Sequence, residues 1–165
     1  MQRGFRIAAF LILAGFGLSA AVAEPQADRI LIEKAKREMT LLTHGKVLRS
    51  YRVALGHNPV GPKTRQGDMR TPEGLYTIDA RYAQSEYHRA LHISYPNAAD
   101  RAQARKLGVD PGGDILIHGL PNGMGYIGKA HRLWDWTKGC VAVTDEEIEE
   151  IWRLVPNGTP VEIRP

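Results

Sequence analysis

Glycine and proline punctuate this chain so densely that short strands and turns are favoured over a helix bundle. Its 165 residues include 17 glycines and 10 prolines, an excess of residues that make turns. Between these breaks the apolar residues are grouped in short runs. Arg29–Ile32 reads as a first strand. Arg37–Thr43 and Lys46–Leu55 read as a hairpin around His44-Gly45, with Val47, Tyr51, Val53 and Leu55 on one face of the second arm. Asn58–Gly74 is rich in turn formers and reads as a long loop. Leu75–Arg81, Leu91–Tyr95, Asp114–His118, Cys140–Val143 and Val161–Ile163 are further strands, and Ala99–Leu107 is a short helix stopped by Gly108. Gly119–Gly139 is a second long loop. The strongest helix signal follows Thr144, which can cap, with Glu147 three residues on and Asp145 and Glu146 at the positive end. Ile148, Ile151, Trp152 and Val155 form its apolar stripe. The predicted fold is mainly β, a β-sandwich or small barrel with one or two packed helices.

The first 23 residues read as an address. Met1–Arg6 carries two arginines and no acid, Ile7–Val22 is apolar or small except for Ser19, and Ala21-Val22-Ala23 offers a cleavage site. This is the three-part pattern of a secretory signal, predicted over 1–23, with one mature domain over 24–165. The apolar run is about 16 residues, short of the roughly 20 needed to span a bilayer, so no stable membrane span is expected after cleavage. The expected location is outside the cytoplasm, in a periplasm or cell envelope. No cysteine follows the apolar run, so no lipid anchor is expected on this chain. The net charge is +4, and removing Arg3 and Arg6 leaves 20 Lys+Arg against 18 Asp+Glu. A near-neutral chain without a basic cluster gives no case for nucleic acid.

There is one cysteine, so an internal disulfide and a four-cysteine zinc site are both excluded. Cys140 lies in Trp136-Thr137-Lys138-Gly139-Cys140-Val141. Gly139 lets the backbone approach a ligand and lets successive N–H groups form an anion nest. Lys138 is placed to favour a thiolate. A nucleophilic thiol needs a base, and His118, ending the Asp114–His118 strand, is the best candidate if the two strands lie side by side. Plainer readings stand beside these. A cysteine before Val-Ala-Val also suits an ordinary core, as does a histidine after Ile-Leu-Ile. His131 reads as a ligand or a surface residue. Trp134 and Trp136 read as loop anchors or as a substrate wall. Asp68 and Glu73 read as ties within their Gly/Pro loop. His44, His57, His88 and His92 show no metal spacing, and neither a metal nor a cofactor is expected.

At these residues a resemblance becomes specific. His118-Gly119, followed after 17 residues by Thr137-Lys138-Gly139-Cys140, resembles the L,D-transpeptidase catalytic domain, the YkuD family of cell-wall enzymes. Gly56…Gly61-Pro62-Lys63…Gly67-Asp68-Met69-Arg70-Thr71-Pro72-Glu73-Gly74-Leu75-Tyr76 is similar to the family's opening segment. Ser85-Glu86-Tyr87-His88 and Ile93-Ser94-Tyr95-Pro96-Asn97 resemble its middle. Asp135-Trp136-Thr137 and Gly139-Cys140-Val141-Ala142-Val143 resemble its close. The chain departs where many members have Ser-His-Gly-Cys followed one residue later by Arg or Asn: Thr137 keeps the hydroxyl, Lys138 replaces a histidine, and Ala142 replaces the Arg or Asn.

The resemblance implies a cysteine acyltransferase acting on peptidoglycan stem peptides. Cys140 would be the nucleophile and His118 the base. The backbone carbonyl of Gly119 would orient the imidazole, and the backbone N–H of Gly139, with that of Cys140, would hold the oxyanion. Trp136, Thr137 and Lys138 would contact substrate. D-Alanine would leave, and an amine from a second stem or an anchored lipoprotein would resolve the thioester. Water as acceptor would instead give a hydrolytic L,D-carboxypeptidase or amidase. A non-catalytic peptidoglycan-binding module is the third reading. A sortase-like enzyme would need an arginine soon after the cysteine, which Ala142-Val143-Thr144 does not supply.

Overall fold

The computed structural model describes residues 24–165, and the expected signal segment lies outside the described residues. Eight strands form one curled sheet: β1 (Arg29–Glu33), β2 (Glu38–Thr43), β3 (Lys46–Arg52), β4 (Gly74–Ser85), β5 (His88–Ile93), β6 (Leu116–His118), β7 (Val141–Ala142) and β8 (Pro160–Arg164). Their order is β3-β2-β1-β8-β4-β5-β6-β7. The long β4 turns the corner. Its Gly74–Thr77 half pairs with β8 and its Ile78–Ser85 half with β5, with register shifts in the second half. Such irregularities bend a strand and increase its twist.

The two ends of this sheet meet. Just after β3, Ala54 exchanges backbone hydrogen bonds with Ala142 (3.0 and 2.9 Å). Further on, Thr137 N–H donates to Leu55 O (3.1 Å) and His57 N–H to Thr137 O (2.9 Å). Closure of this kind pairs strand edges that would otherwise be open, and it answers to the small barrel expected from the strand pattern.

Two helices accompany the sheet, and the second of them packs closely on it, against β5 and β6. α1 (Ala98–Leu107) starts with a capping box of Asn97 and Asp100 and ends at Gly108, whose φ of 65° closes the last turn. α2 (Asp145–Leu154) starts with the expected box: Thr144 Oγ1 accepts from Glu147 N–H (3.3 Å), and Glu147 Oε2 accepts from Thr144 N–H (3.0 Å). Ile148, Ile151 and Leu154 of α2 are buried, each stabilising the fold by about 1.5–3 kcal/mol. Trp152 is only half-buried, at the edge of the stripe. The guanidinium of Arg81 lies 4.0 Å above its ring, a cation–π contact that favours a ring left partly in solvent.

A second expectation changes in the hairpin. Tyr51, Val53 and Leu55 are buried, but Val47 is 67% exposed. Leu41 pairs with Arg49 while Leu42 pairs with Val47, so Leu48 is an extra residue in β3. One extra residue reverses the alternation. Leu48 packs against the core and Val47 turns outward.

The loop of residues 58–74 is held by buried charges. Lys34, 2% exposed, donates to Gly61 O, Thr71 O and Glu73 Oε1 at 2.7, 3.0 and 2.8 Å. Asp68 accepts from Lys63 Nζ (2.8 Å) and from the N–H groups of Thr64, Arg65 and Arg70. Burial alone would raise its pKa, but these donors hold the carboxyl below the ordinary range. Asp68 and Glu73 are therefore loop ties, as expected.

Candidate active site

β6 and β7 run parallel, with Ile117 opposite Val141 and His118 opposite Ala142. Side chains alternate along a strand, so Cys140, two residues before Ala142, lies on the same face as His118. Cys140 immediately precedes β7, and its side chain is half-buried. The thiol donates to Asp114 O at 3.5 Å. Rotation about χ1 is the motion that redirects the sulfur. Burial pushes the thiol's pKa up, offset in part by the Leu116 N–H and the charge of Lys63. Lys138 is exposed and forms no ion pair among the described residues, so the cation that acts on the sulfur is Lys63.

His118 is 1% exposed. Its Nδ1 lies 2.7 Å from Gly119 O, and because a carbonyl only accepts, Nδ1 carries the hydrogen and Nε2 presents its lone pair. Burial depresses the imidazole from the ordinary 6.5 to about 4. The resting pair is thus a neutral thiol and a neutral imidazole, with the lone pair on the nitrogen that general-base catalysis requires. The carbonyl is held in place from α2: Asp145 Oδ1 accepts the N–H of Leu120, the next residue, at 2.8 Å.

The approach to Cys140 is shaped by two glycines. Gly139 has φ +134°, and a Cβ there would lie 2.6 Å from Arg70 O. A Cβ on Gly56 would lie 2.3 Å from Met69 O and 3.1 Å from Gly139 Cα. Side chains at either position would force the 58–74 loop and the cysteine loop apart. Gly139 N–H donates to Thr137 Oγ1 (3.1 Å), and that hydroxyl donates to Cys140 O (2.7 Å). Thr137, 4% exposed, therefore closes the turn that presents the thiol. In this state its hydroxyl faces the loop, and the Gly139 N–H, expected at an oxyanion, is partnered within the turn. The Cys140 N–H stands ahead of the first β6–β7 pair.

Around His118 the walls are aromatic. The Tyr87 ring centroid is 4.3 Å from the imidazole and that of Trp136 is 5.8 Å away, edge to face. Trp136 Nε1 donates to His131 Nδ1 at 3.4 Å. Asp135 anchors this loop to the start of the barrel, accepting from Leu55 N–H (2.9 Å) and from Arg37 Nε and Nη2 (3.1 and 2.9 Å). Tyr87 as the cover on His118 was not singled out by the sequence, and His131, read there as a ligand or a surface residue, is not at the surface but buried, 3% exposed. Tyr87 stood inside a recognised motif, but nothing in its spacing gave it a partner. Among the described residues, no cluster of three or more His, Cys, Asp or Glu is arranged to hold a metal ion.

The profile of the L,D-transpeptidase catalytic domain, YkuD, matches residues 27–163. The chain belongs to this family. Among relatives, YafK of Escherichia coli strain K12, itself assigned to the L,D-transpeptidases only provisionally, is 31% identical over 134 residues. That match covers 76% of this chain and 47% of YafK, so the chain spans about half the length of that relative. YqjB of Bacillus subtilis strain 168, with the same provisional assignment, is 28% identical, covering 80% of this chain and 68% of its own. Among solved structures, the helical cell shape determining protein Pgp2 of Campylobacter jejuni superposes with a TM-score of 0.65 at 24% identity, over 86% of this chain and 48% of its own. An L,D-transpeptidase of Mycobacterium smegmatis gives 0.53 at 15% identity, over 84% and 59%. These likenesses show that the curled sheet is the fold of L,D-transpeptidases.

Proposed function

We propose that this protein is an exported L,D-transpeptidase that works on peptidoglycan stem peptides through a thioester on Cys140. The observation that carries the proposal is the tautomer of His118. Its Nδ1–H is committed to Gly119 O at 2.7 Å, leaving a lone pair on Nε2, on the sheet face that also carries a half-buried cysteine.

In the reaction, Nε2 of His118 takes the thiol proton as sulfur attacks the amide carbonyl before a terminal D-alanine. The carbonyl oxygen gains the negative charge, which the N–H of Cys140 stabilises. Losing one such preorganised donor typically costs about 3 kcal/mol of barrier. The Gly139 N–H joins it only by leaving Thr137 Oγ1. The intermediate collapses with cleavage of the C–N bond, and His118 returns the proton to the departing amine. An amine, from a second stem or an anchored lipoprotein, then attacks the thioester and releases the thiol. The aromatic wall of Tyr87 and Trp136 supports the reading by keeping water from the imidazole.

The test is product analysis by mass of the purified protein with tetrapeptide stems. D-Alanine release is expected from the native sequence and is expected to vanish in Cys140→Ala and His118→Ala. Turnover retained by either variant removes that residue from the mechanism. A covalent carbapenem adduct on Cys140 separates an acyltransferase from a binding module.

A further inference from the structure

Asp145 does more than open α2. The positive end of that helix is already served by Glu147, which closes the capping box with Thr144, and by Glu146, exposed in the same turn. The Asp145 carboxylate instead reaches back to the end of β6. Its Oδ1 accepts the N–H of Leu120 at 2.8 Å. That N–H belongs to the peptide group whose carbonyl, Gly119 O, lies 2.7 Å from His118 Nδ1. A single peptide group therefore stands between the carboxylate and the imidazole.

A peptide group is planar, and in the trans form its C=O and N–H point in opposite directions. Holding the N–H on Asp145 thus aims the C=O the other way, toward His118. Leu120 is 1% exposed, so bulk solvent offers its N–H no substitute for the carboxylate. The preceding peptide group is held separately, with Gly119 N–H donating to Arg89 O of β5 (3.3 Å).

Two glycines make room for the same carboxylate. Neither Gly119 nor Gly125 has a left-handed backbone, so neither is called for by φ. A Cβ on Gly119 would lie 2.6 Å from Asp145 Oδ1, 3.0 Å from Ile148 Cγ2 and 3.1 Å from Tyr87 O. A Cβ on Gly125, the first residue of the 3₁₀ turns, would collide with Asp145 Oδ2. The carboxylate is seated between the residue that follows His118 and the start of those turns.

We infer that Asp145 is a positioning residue for the thiol site: it fixes the Gly119–Leu120 peptide group, and through that carbonyl it keeps the hydrogen of His118 on Nδ1 and the lone pair on Nε2. An imidazole released from the carbonyl exchanges its hydrogen between the two nitrogens, and the form with Nε2–H cannot take a thiol proton. This deepens the proposed function and rests on it for the work the lone pair does, whereas the tautomer stands apart from turnover.

The test reads the tautomer by ¹⁵N NMR of the histidine rings in the purified protein without substrate, at about pH 7, where burial keeps His118 neutral. Separate signals for a protonated Nδ1 and a bare Nε2 are expected from the native sequence. Asp145→Asn keeps an acceptor for the Leu120 N–H and is expected to keep both signals. Asp145→Ala removes the acceptor, and the two signals are expected to move toward a common value. D-Alanine release should slow by the factor by which the Nδ1–H share falls. Gly125→Ala displaces the carboxylate with Asp145 still present, and the same convergence is expected; it serves where Asp145→Ala does not fold. A carboxylate that acted only on the helix terminus would lower the melting temperature alike in Asp145→Asn and Asp145→Ala and leave the tautomer alone. That result, unmoved signals in Gly125→Ala where it alone folds, or signals that converge in Asp145→Asn as far as in Asp145→Ala, would overturn the assignment. Failure of D-alanine release by the native protein would count against the proposed reaction while leaving the tautomer result standing.

Discussion

Lowering the pH should destabilise the fold through His118, by an amount the burial of its ring sets. The imidazole is depressed from 6.5 to about 4 by desolvation, opposed only in part by its bond to Gly119 O. The folded value lies below the unfolded one, so protonation favours the unfolded chain. The stabilisation is complete above about pH 6.5 and is lost as the pH falls through about 4. Between about pH 7 and about pH 4.5 the linkage amounts to about 2 kcal/mol for this one ring. That is a large fraction of a typical domain's total stability, about 5–15 kcal/mol. Carboxylates titrate over the same range, so the informative quantity is a difference between proteins. Urea unfolding of the native sequence and of His118→Gln, each at both pH values, isolates the imidazole. The variant loses a hydrogen bond at either pH, but it should lose about 2 kcal/mol less than the native protein on acidification. Equal losses in the two proteins would refute the claim that the buried ring is held neutral.

The thiol should behave as a weak acid. Its pKa is raised by burial, so the rate of alkylation by iodoacetamide should still be climbing above the ordinary cysteine value of about 8.5, and a midpoint below about 7 would point instead to a resting thiolate–imidazolium pair. Gly139→Ala should lower stability by about 2–4 kcal/mol, because the new Cβ meets Arg70 O at 2.6 Å with φ at +134°. A melting temperature within a degree or two of the native value would show that the loop relaxes freely.

Most of the β framework was legible because its strands are short apolar runs cut by glycine and proline. The α2 start was legible for the same local reason, since Thr144 and Glu147 cap through contacts three residues apart. Non-local events were not. The extra residue at Leu48 depends on how β3 is paired with β2, and nothing within Lys46–Leu55 announces it. His118 and Cys140 were paired from spacing and type, and the parallel register of β6 and β7 puts them on one face. The fate of Thr137 was hidden: its hydroxyl turns inward to Cys140 O and Gly139 N–H, a choice made by a loop folding on itself. His131 was hidden more deeply. Its burial depends on the residue 119–139 connection forming 3₁₀ turns over Gly125–Leu133, interrupted at Gly128, and on Trp136 docking beside it.

The seam between Ala54–His57 and Thr137–Ala142 carries a constraint on how the site around Cys140 can open. The strip of chain that bears the sulfur is also the clasp of the barrel, so swinging it aside would unzip the sheet rather than open a door. The short turns around Gly128, whose backbone leaves helical geometry at φ 49° and ψ −135°, lie outside that pairing. Amide protons along the clasp should therefore exchange only with global unfolding, whereas those of the Gly125–Leu133 turns exchange ahead of it.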